Sequence, residues 1–266
     1  MLLEVKKLKV IGKKENKEII KGIDFSMEEN TCTGILGESG SGKSITCKSI
    51  LNVLNGDFIL DGEVIFQGED ILKMDKEKIR KIRGKDICMI LQNPMTSFNP
   101  LYTIGNQMTE TFIEHMKISK KEALNLAVKS MNKMKLEDPE KILKKYPHEL
   151  SGGMLQRIMI AVAMALKPKL IIADEPTTAI DSLNQKDIIE EFMLLKKEMS
   201  VSILFVTHDL GVLSQLADSL IVMKNGEIVE KGKTQGIMKN PVHEHTKFLI
   251  DTRYSMMDKF KKVKEC

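Results

Sequence analysis

The run Gly37-Glu38-Ser39-Gly40-Ser41-Gly42-Lys43-Ser44 constrains this chain more than any other eight residues in it. It follows the apolar stretch Cys32-Thr33-Gly34-Ile35-Leu36 and precedes Ser44 to Leu54, a segment without proline or glycine whose apolar residues recur at helical spacing. A strand, a glycine-rich turn and a helix, in that order, are the setting in which the pattern GxxxxGK[ST] cradles phosphate. Glycine lets the backbone turn tightly and aim its amide N–H groups inward, and the helix amino terminus adds positive potential. Lys43 is expected to hold the β and γ phosphates of a nucleotide, and Ser44 to ligate Mg2+.

A phosphate loop of this kind needs a metal partner and a base. Leu170-Ile171-Ile172-Ala173 is a second apolar run, and it stops at Asp174-Glu175. Asp174 is expected to help hold the Mg2+, and Glu175 to polarise the attacking water as general base. Two acids after a strand often do no more than start a helix; the phosphate loop decides for the catalytic reading. A third run, Val201-Ser202-Ile203-Leu204-Phe205-Val206, ends at Thr207-His208. Short apolar runs separated by helical segments imply a parallel sheet covered on both faces, with functional residues at the carboxyl ends of its strands.

Between Gln92 and about Lys167 strand-like runs give way to helical stretches such as Lys120 to Met134 and Met154 to Leu166. Glycine-punctuated alternation over Gly56 to Gly68 suits an antiparallel β layer. The expected organisation is an ATPase core over 1–92 and 167–235, an inserted helical subdomain over 93–166, and a short C-terminal extension over 236–266. No run of eighteen apolar residues occurs, and the start MLLEVKKLKV alternates like a strand, so neither a membrane span nor a secretion signal is expected. Cys32, Cys47, Cys88 and Cys266 are too scattered for a zinc cluster or a disulfide framework, which suits a reducing compartment. A net charge of +4 on 41 basic and 37 acidic residues, without a basic block interleaved with aromatics, argues against nucleic acid as a partner. The basic tail Lys259 to Lys264 reads as a solvated terminus.

Leu150-Ser151-Gly152-Gly153-Met154-Leu155-Gln156-Arg157, about twenty residues before Asp174, resembles the LSGGQ signature of ABC ATPases, with Met154 where glutamine is usual. Ser151 can cap the following helix, and the glycines allow close approach to its positive end, so the segment is a second anion site. Gln92 resembles the family's Q-loop glutamine, His208 its switch histidine and Asp181 its D-loop aspartate. The resemblance implies a P-loop NTPase of α/β class, with a RecA-like parallel sheet core, an antiparallel β layer and an inserted helical subdomain. It also implies ATP and Mg2+ as cofactors, with Ser44, Gln92 and Asp174 around the metal and Glu175, His208 and Gln92 in catalysis. Two subunits would pair face to face, each lending Ser151, Gly152, Gly153 and Met154 to the nucleotide on its partner's phosphate loop. The aromatic residue that the family commonly stacks on adenine is missing around Val10-Ile11, which implies looser discrimination between ATP and GTP.

Within that family, Gln92 to Pro100, Tyr146 to Arg157 and Asn240 to Lys247 are similar to the peptide and nickel importer group. The short form, with Ser44-Ile45-Thr46-Cys47 and Met154-Leu155-Gln156-Arg157, looks most like the ATPases of nickel or metal-chelate importers, which implies that cargo, with dipeptide or oligopeptide import as the alternative. The implied partners are a second, different ATPase subunit, two membrane permeases and, indirectly, an extracellular solute-binding protein. The implied location is peripheral, on the cytoplasmic face of the membrane. A soluble ABC ATPase would be expected to carry a second cassette or a long coiled coil, a non-hydrolysing module to lack part of the set Asp174, Glu175 and His208, and a small GTPase to carry Asn-Lys-x-Asp. His243 and His245 are read as exposed loop residues rather than as a metal sensor.

Overall fold

The computed structural model describes residues 1–177 and 182–252; Asp181, the tail Lys259 to Lys264 and Cys266 lie outside the described residues. In chain order the elements are β1 (Leu3–Gly12), β2 (Lys17–Met27), β3 (Cys32–Leu36), α1 (Lys43–Ile50), β4 (Phe58–Phe66), β5 (Glu69–Asp70), α2 (Lys76–Ile82) and β6 (Ile87–Ile90). They continue with α3 (Ile104–Met116), α4 (Lys120–Lys133), α5 (Pro139–Ile142), α6 (Gly152–Leu166), β7 (Leu170–Asp174) and α7 (Ser182–Met199). The last named elements are β8 (Ser202–Thr207), α8 (Leu210–Leu216), β9 (Ser219–Lys224), β10 (Glu227–Lys233) and α9 (Thr234–Lys239). A further helical stretch occupies 244–252. The chain divides into two compact units, one made of Met1–Lys73 and Leu204–Cys266, the other of Met74–Ile203.

In the first unit an antiparallel sheet runs in the order β2-β1-β4-β5. Its inward residues alternate, as a half-buried strand requires, but in β1 the buried positions step from Val5 to Leu8 rather than by two. A bulge at that point absorbs the extra residue, with Lys7 at φ 48° and its N–H donating to the Asp24 carboxylate at 3.0 Å. Gly62, across the bulge, could not carry a side chain, because a Cβ there would lie 2.5 Å from the Lys7 carbonyl oxygen. The same unit holds β10-β9-β3 and β8 from Leu204 onward. β3 pairs parallel to β9, β9 antiparallel to β10, and all five residues of β3 are buried.

Helix α1 stops at Ile50, short of the expected Leu54. Asn52 adopts φ 51°, its N–H donates to Ser49 O at 2.9 Å, and Val53 N–H reaches Lys48 O at 3.0 Å. This paired capping of the last turn closes the helix before Val53 and Leu54.

In the second unit β6 and β7 pair in parallel, from Ile87 opposite Leu170 to Ile90 opposite Ala173. All four helices named between 93 and 166 belong to it. α4 begins in a full capping box between Ser119 and Glu122. α6 is buried on more than one face, with Leu155, Ile158, Ile160, Ala161 and Met164 all inside.

Candidate active site

In the first unit the buried strand β3 delivers the chain into the glycine-rich loop, and α1 leaves it. Gly40 and Gly42 take φ 81° and 105°, left-handed values that side-chain-bearing residues avoid. A Cβ on Gly42 would lie 2.5 Å from Ile20 Cδ1, and one on Gly37 2.5 Å from the Met223 carbonyl oxygen. The loop is thus built against β2 and β9 with no room for side chains at these points. Lys43 is 4% exposed, and its ammonium donates to the carbonyl oxygens of Gly37 and Glu38, both at 2.9 Å. A cation is therefore fixed within the loop, while Glu38, Ser39 and Gly40 stay exposed at its rim. Ser41 is buried, its Oγ has no hydrogen-bond partner among the described residues, and its carbonyl accepts from Gly226 N–H at 3.0 Å. Ser44, the expected metal ligand, is half-buried at the start of α1.

His208 follows the buried end of β8 and is exposed. The backbone around it is fixed: Asp209 N–H donates to Thr207 Oγ1 at 3.0 Å, and Asp209 Oδ1 accepts from Gly211 N–H at 2.7 Å, capping α8.

In the second unit Asp174 closes β7 and is 4% exposed, while Glu175 is half-buried at φ 46°. Gln92 Nε2 donates to Glu175 Oε2 at 3.1 Å. The register explains the meeting, since Ile90 faces Ala173 and both residues lie two positions further along parallel strands. Ser151 caps α6, its hydroxyl accepting from Met154 N–H at 3.3 Å. Gly152, Gly153 and Met154 form the first turn and are partly exposed, and a Cβ at Gly153 would meet nothing within 4 Å. Asp181 is outside the described residues.

Two expectations change. Val10 points into the core at 0% exposure, which leaves only the half-exposed Ile11 of that pair to face a base. The histidine pair is not a loop feature: His245 is 6% exposed and lies inside the helical stretch 244–252. His243 precedes that stretch and caps it, its Nδ1 accepting from His245 N–H at 3.1 Å. Glu230 on β10 holds the entry by accepting from Val242 N–H at 2.9 Å and His243 N–H at 3.0 Å. Burial pushes the Glu230 carboxyl up, but the N–H groups of Val242 and His243 help to offset it, and the carboxyl lies below its ordinary value. The buried residues His245, Thr246 and Ile250 follow helical spacing, a signal in the sequence that the nearby Asn240-Pro241 obscured. Among the described residues no group of three or more His, Cys, Asp or Glu could hold a metal ion.

Residues 20–178 match the family model described as ABC transporter. The chain is 43% identical over 262 residues to the ATP-binding protein of a metal-staphylopine import system from Staphylococcus aureus, covering 98% of this chain and 97% of that one. It is also 43% identical to an oligopeptide transport ATP-binding protein from Bacillus subtilis, over 92% of this chain and 70% of the relative. Among solved structures it resembles the dimeric post-hydrolysis state of an ATP-binding cassette bound to ADP and Pi. That likeness has a TM-score of 0.78 at 27% identity and covers 88% of this chain and 99% of the other.

Proposed function

The chain belongs to the ABC transporter family of ATP-binding proteins, and from that premise we propose that it drives import of a metal ion or metal chelate by hydrolysing ATP. The observation that carries the hydrolytic part is the Gln92–Glu175 hydrogen bond, which orients a carboxylate at the end of β7 beside the buried Asp174. Lys43 and the amides of Gly37 to Ser44 bind the triphosphate. Glu175 accepts the proton of the attacking water, Gln92 keeps its carboxylate turned toward that water, and His208 contacts the γ-phosphate.

Ser44, Asp174 and Gln92 would hold Mg2+. Their oxygen donors suit it, and a site with few protein ligands fits an ion that shares its shell with phosphates and water. When bound, Mg2+ neutralises charge developing on the phosphates.

The trans role of Ser151, Gly152, Gly153 and Met154 is supported by open space around Gly153, which no packing among the described residues requires to be glycine. Asp181 would pass the state of one site to the other. The second subunit is a different ATPase of the same family. Permease contact is supported by apolar side chains that stay exposed after Gln92: Met95 at 47%, Leu101 at 79% and Tyr102 at 53%. Gln107 fixes this segment by bonding both backbone groups of Asn99 and the Tyr102 carbonyl. Such contacts would place the chain peripherally on the cytoplasmic face of the membrane, and no helix among the described residues is long and apolar enough to cross it. The solute-binding protein is reached only through the permeases.

The metal reading of the cargo is supported by similarity that runs nearly the full length of both this chain and the metal-staphylopine relative. Deleting the gene tests it: uptake of radiolabelled nickel, free and chelated, should fall while growth on peptides is unchanged. Lost peptide growth with normal metal uptake would replace it with the peptide reading.

A further inference from the structure

Near the end of β1 the pairing with β4 stays in register, with Val10 opposite Leu60 and Gly12 opposite Phe58, and Lys13 N–H donates to Asp57 O at 2.9 Å. Residues two apart on a strand share a face, which puts Gly12 and Phe58 on the side of the buried Val10. That side meets the phosphate loop. Ile20 on β2 is the partner of Val10, and a Cβ on Gly42 would lie 2.5 Å from Ile20 Cδ1. The register slips between Val10 and Ile11, which leaves Ile19 as the extra residue of β2. A Cβ on Gly226 would run into the Ile19 carbonyl oxygen, and Gly226 N–H donates to Ser41 O at 3.0 Å.

Gly12 opens a notch in this face. A Cβ there would meet only Ile19 Cδ1 at 3.5 Å and the Lys17 carbonyl oxygen at 3.9 Å, both ordinary contacts. Its φ is not left-handed either, so neither packing among the described residues nor backbone conformation requires glycine. A strand glycine without such a cause often marks the close approach of a ligand. Ile19 borders the notch on the β2 side and Phe58 on the β4 side, and each is half-buried. The turn into Phe58 is fixed, since Asn55 O accepts the Phe58 N–H at 3.3 Å and the Asn55 amide bonds both the N–H and the carboxylate of Asp57. Of the other phenylalanines described in the first unit, Phe25, Phe66 and Phe205 are buried, and Phe248 stands in the C-terminal helical stretch.

We propose, on the reading that the phosphate loop binds nucleotide, that the base seats over Gly12 and that Phe58 is the aromatic residue it stacks on, with Ile19 as the opposite wall. Gly12 lies about 7 Å along β1 from Val10, whose partner Ile20 touches the loop, so phosphates in the loop and a base in the notch belong to one molecule. Every base has a π-face, and a stack leaves the hydrogen-bonding edges of the base unread. The ligand class is therefore a nucleoside di- or triphosphate, held by its base with little preference for which base it is.

The probes are MgADP and magnesium pyrophosphate, which carries the phosphates without a base. In calorimetric titration of the full chain, Phe58→Ala should bind MgADP about five- to 150-fold more weakly than the wild type, the range of one base–aromatic stack, with pyrophosphate affinity unchanged. Gly12→Val, which fills the notch, should show the same split between the two ligands. The chain contains no tryptophan, so Phe58→Trp adds one reporter at the notch. Its fluorescence should change with MgADP and stay constant with magnesium pyrophosphate. Wild-type MgADP affinity in Phe58→Ala, or an equal loss for both ligands, overturns the assignment. If Phe58→Ala does not fold, Phe58→Trp decides, and MgADP that binds it without moving the fluorescence ends the proposal. Failure of the wild type to bind either probe overturns instead the nucleotide reading.

Discussion

Gln92 Nε2 and Glu175 Oε2 are joined at 3.1 Å across the carboxyl ends of two parallel strands whose register holds them level. The glutamine therefore orients a carboxylate that sits at φ 46°, in backbone that an ordinary residue occupies only when its surroundings insist.

From this pair, Glu175→Gln should keep the hydrogen bond, since its amide oxygen still accepts from Gln92, while removing the base. Phosphate release by the assembled transporter should fall by about 10²–10⁴, with ATP and the paired state retained on a sizing column. Gln92→Ala should lower turnover with little change in nucleotide affinity. Wild-type turnover in Glu175→Gln would remove Glu175 from the chemistry.

Lys43→Ala should act even without nucleotide. It strips the ammonium from the Gly37 and Glu38 carbonyls, and a buried acceptor left unpaired costs about 1–3 kcal/mol. Urea denaturation should show the loss, and MgADP should no longer raise the melting temperature as it does for the wild type.

The Cys88 thiol is pushed up to about 12, by burial first and by Asp86 second. Its stability contribution is complete below the ordinary thiol value of 9.0 and is lost as pH rises from there toward about 12, because only the unfolded chain ionises in that window. Denaturation midpoints from pH 8 to 10.5 should fall less steeply in Cys88→Ala. Native Cys88 should resist iodoacetamide at pH 8; rapid alkylation of the folded chain would contradict its burial.

The carboxyl ends of β3, β6, β7 and β8 were legible because each apolar run gives way to glycine or to polar residues: Gly37, Gln92, Asp174 and Thr207-His208. The bulge at Lys7 was not, since it depends on which of two irregular alternations the neighbouring strands accept. The early end of α1 was missed because Asn52 in a left-handed conformation stops the helix without a glycine or proline to mark it. His245 was misplaced for a related reason. Its helical spacing with Thr246 and Ile250 was masked by Asn240-Pro241, and the grip of Glu230 on Val242 and His243 that fixes the entry spans at least twelve residues of sequence.

With Val10 in the core and only Ile11 half-exposed, no aromatic face is offered by this part of β1 to a purine. Competition titration should give GTP within about tenfold of ATP, the range that one aromatic stack spans. A much larger preference for ATP would mean that another side chain reads the base.

Gly153 separates the needs of the fold from those of the pair. It lies in the first turn of α6, and a Cβ there would touch nothing among the described residues. Glycine in a helix costs up to about 1 kcal/mol relative to alanine, so Gly153→Ala should leave the isolated subunit equally or slightly more stable. In the assembled transporter the same methyl would stand where the neighbouring subunit's nucleotide must approach the helix amino terminus. Phosphate release and ATP-driven pairing should then drop at least tenfold while MgADP binding to the isolated chain is unchanged. A variant that is both more stable and fully active would show that the signature turn does not meet a nucleotide across the interface.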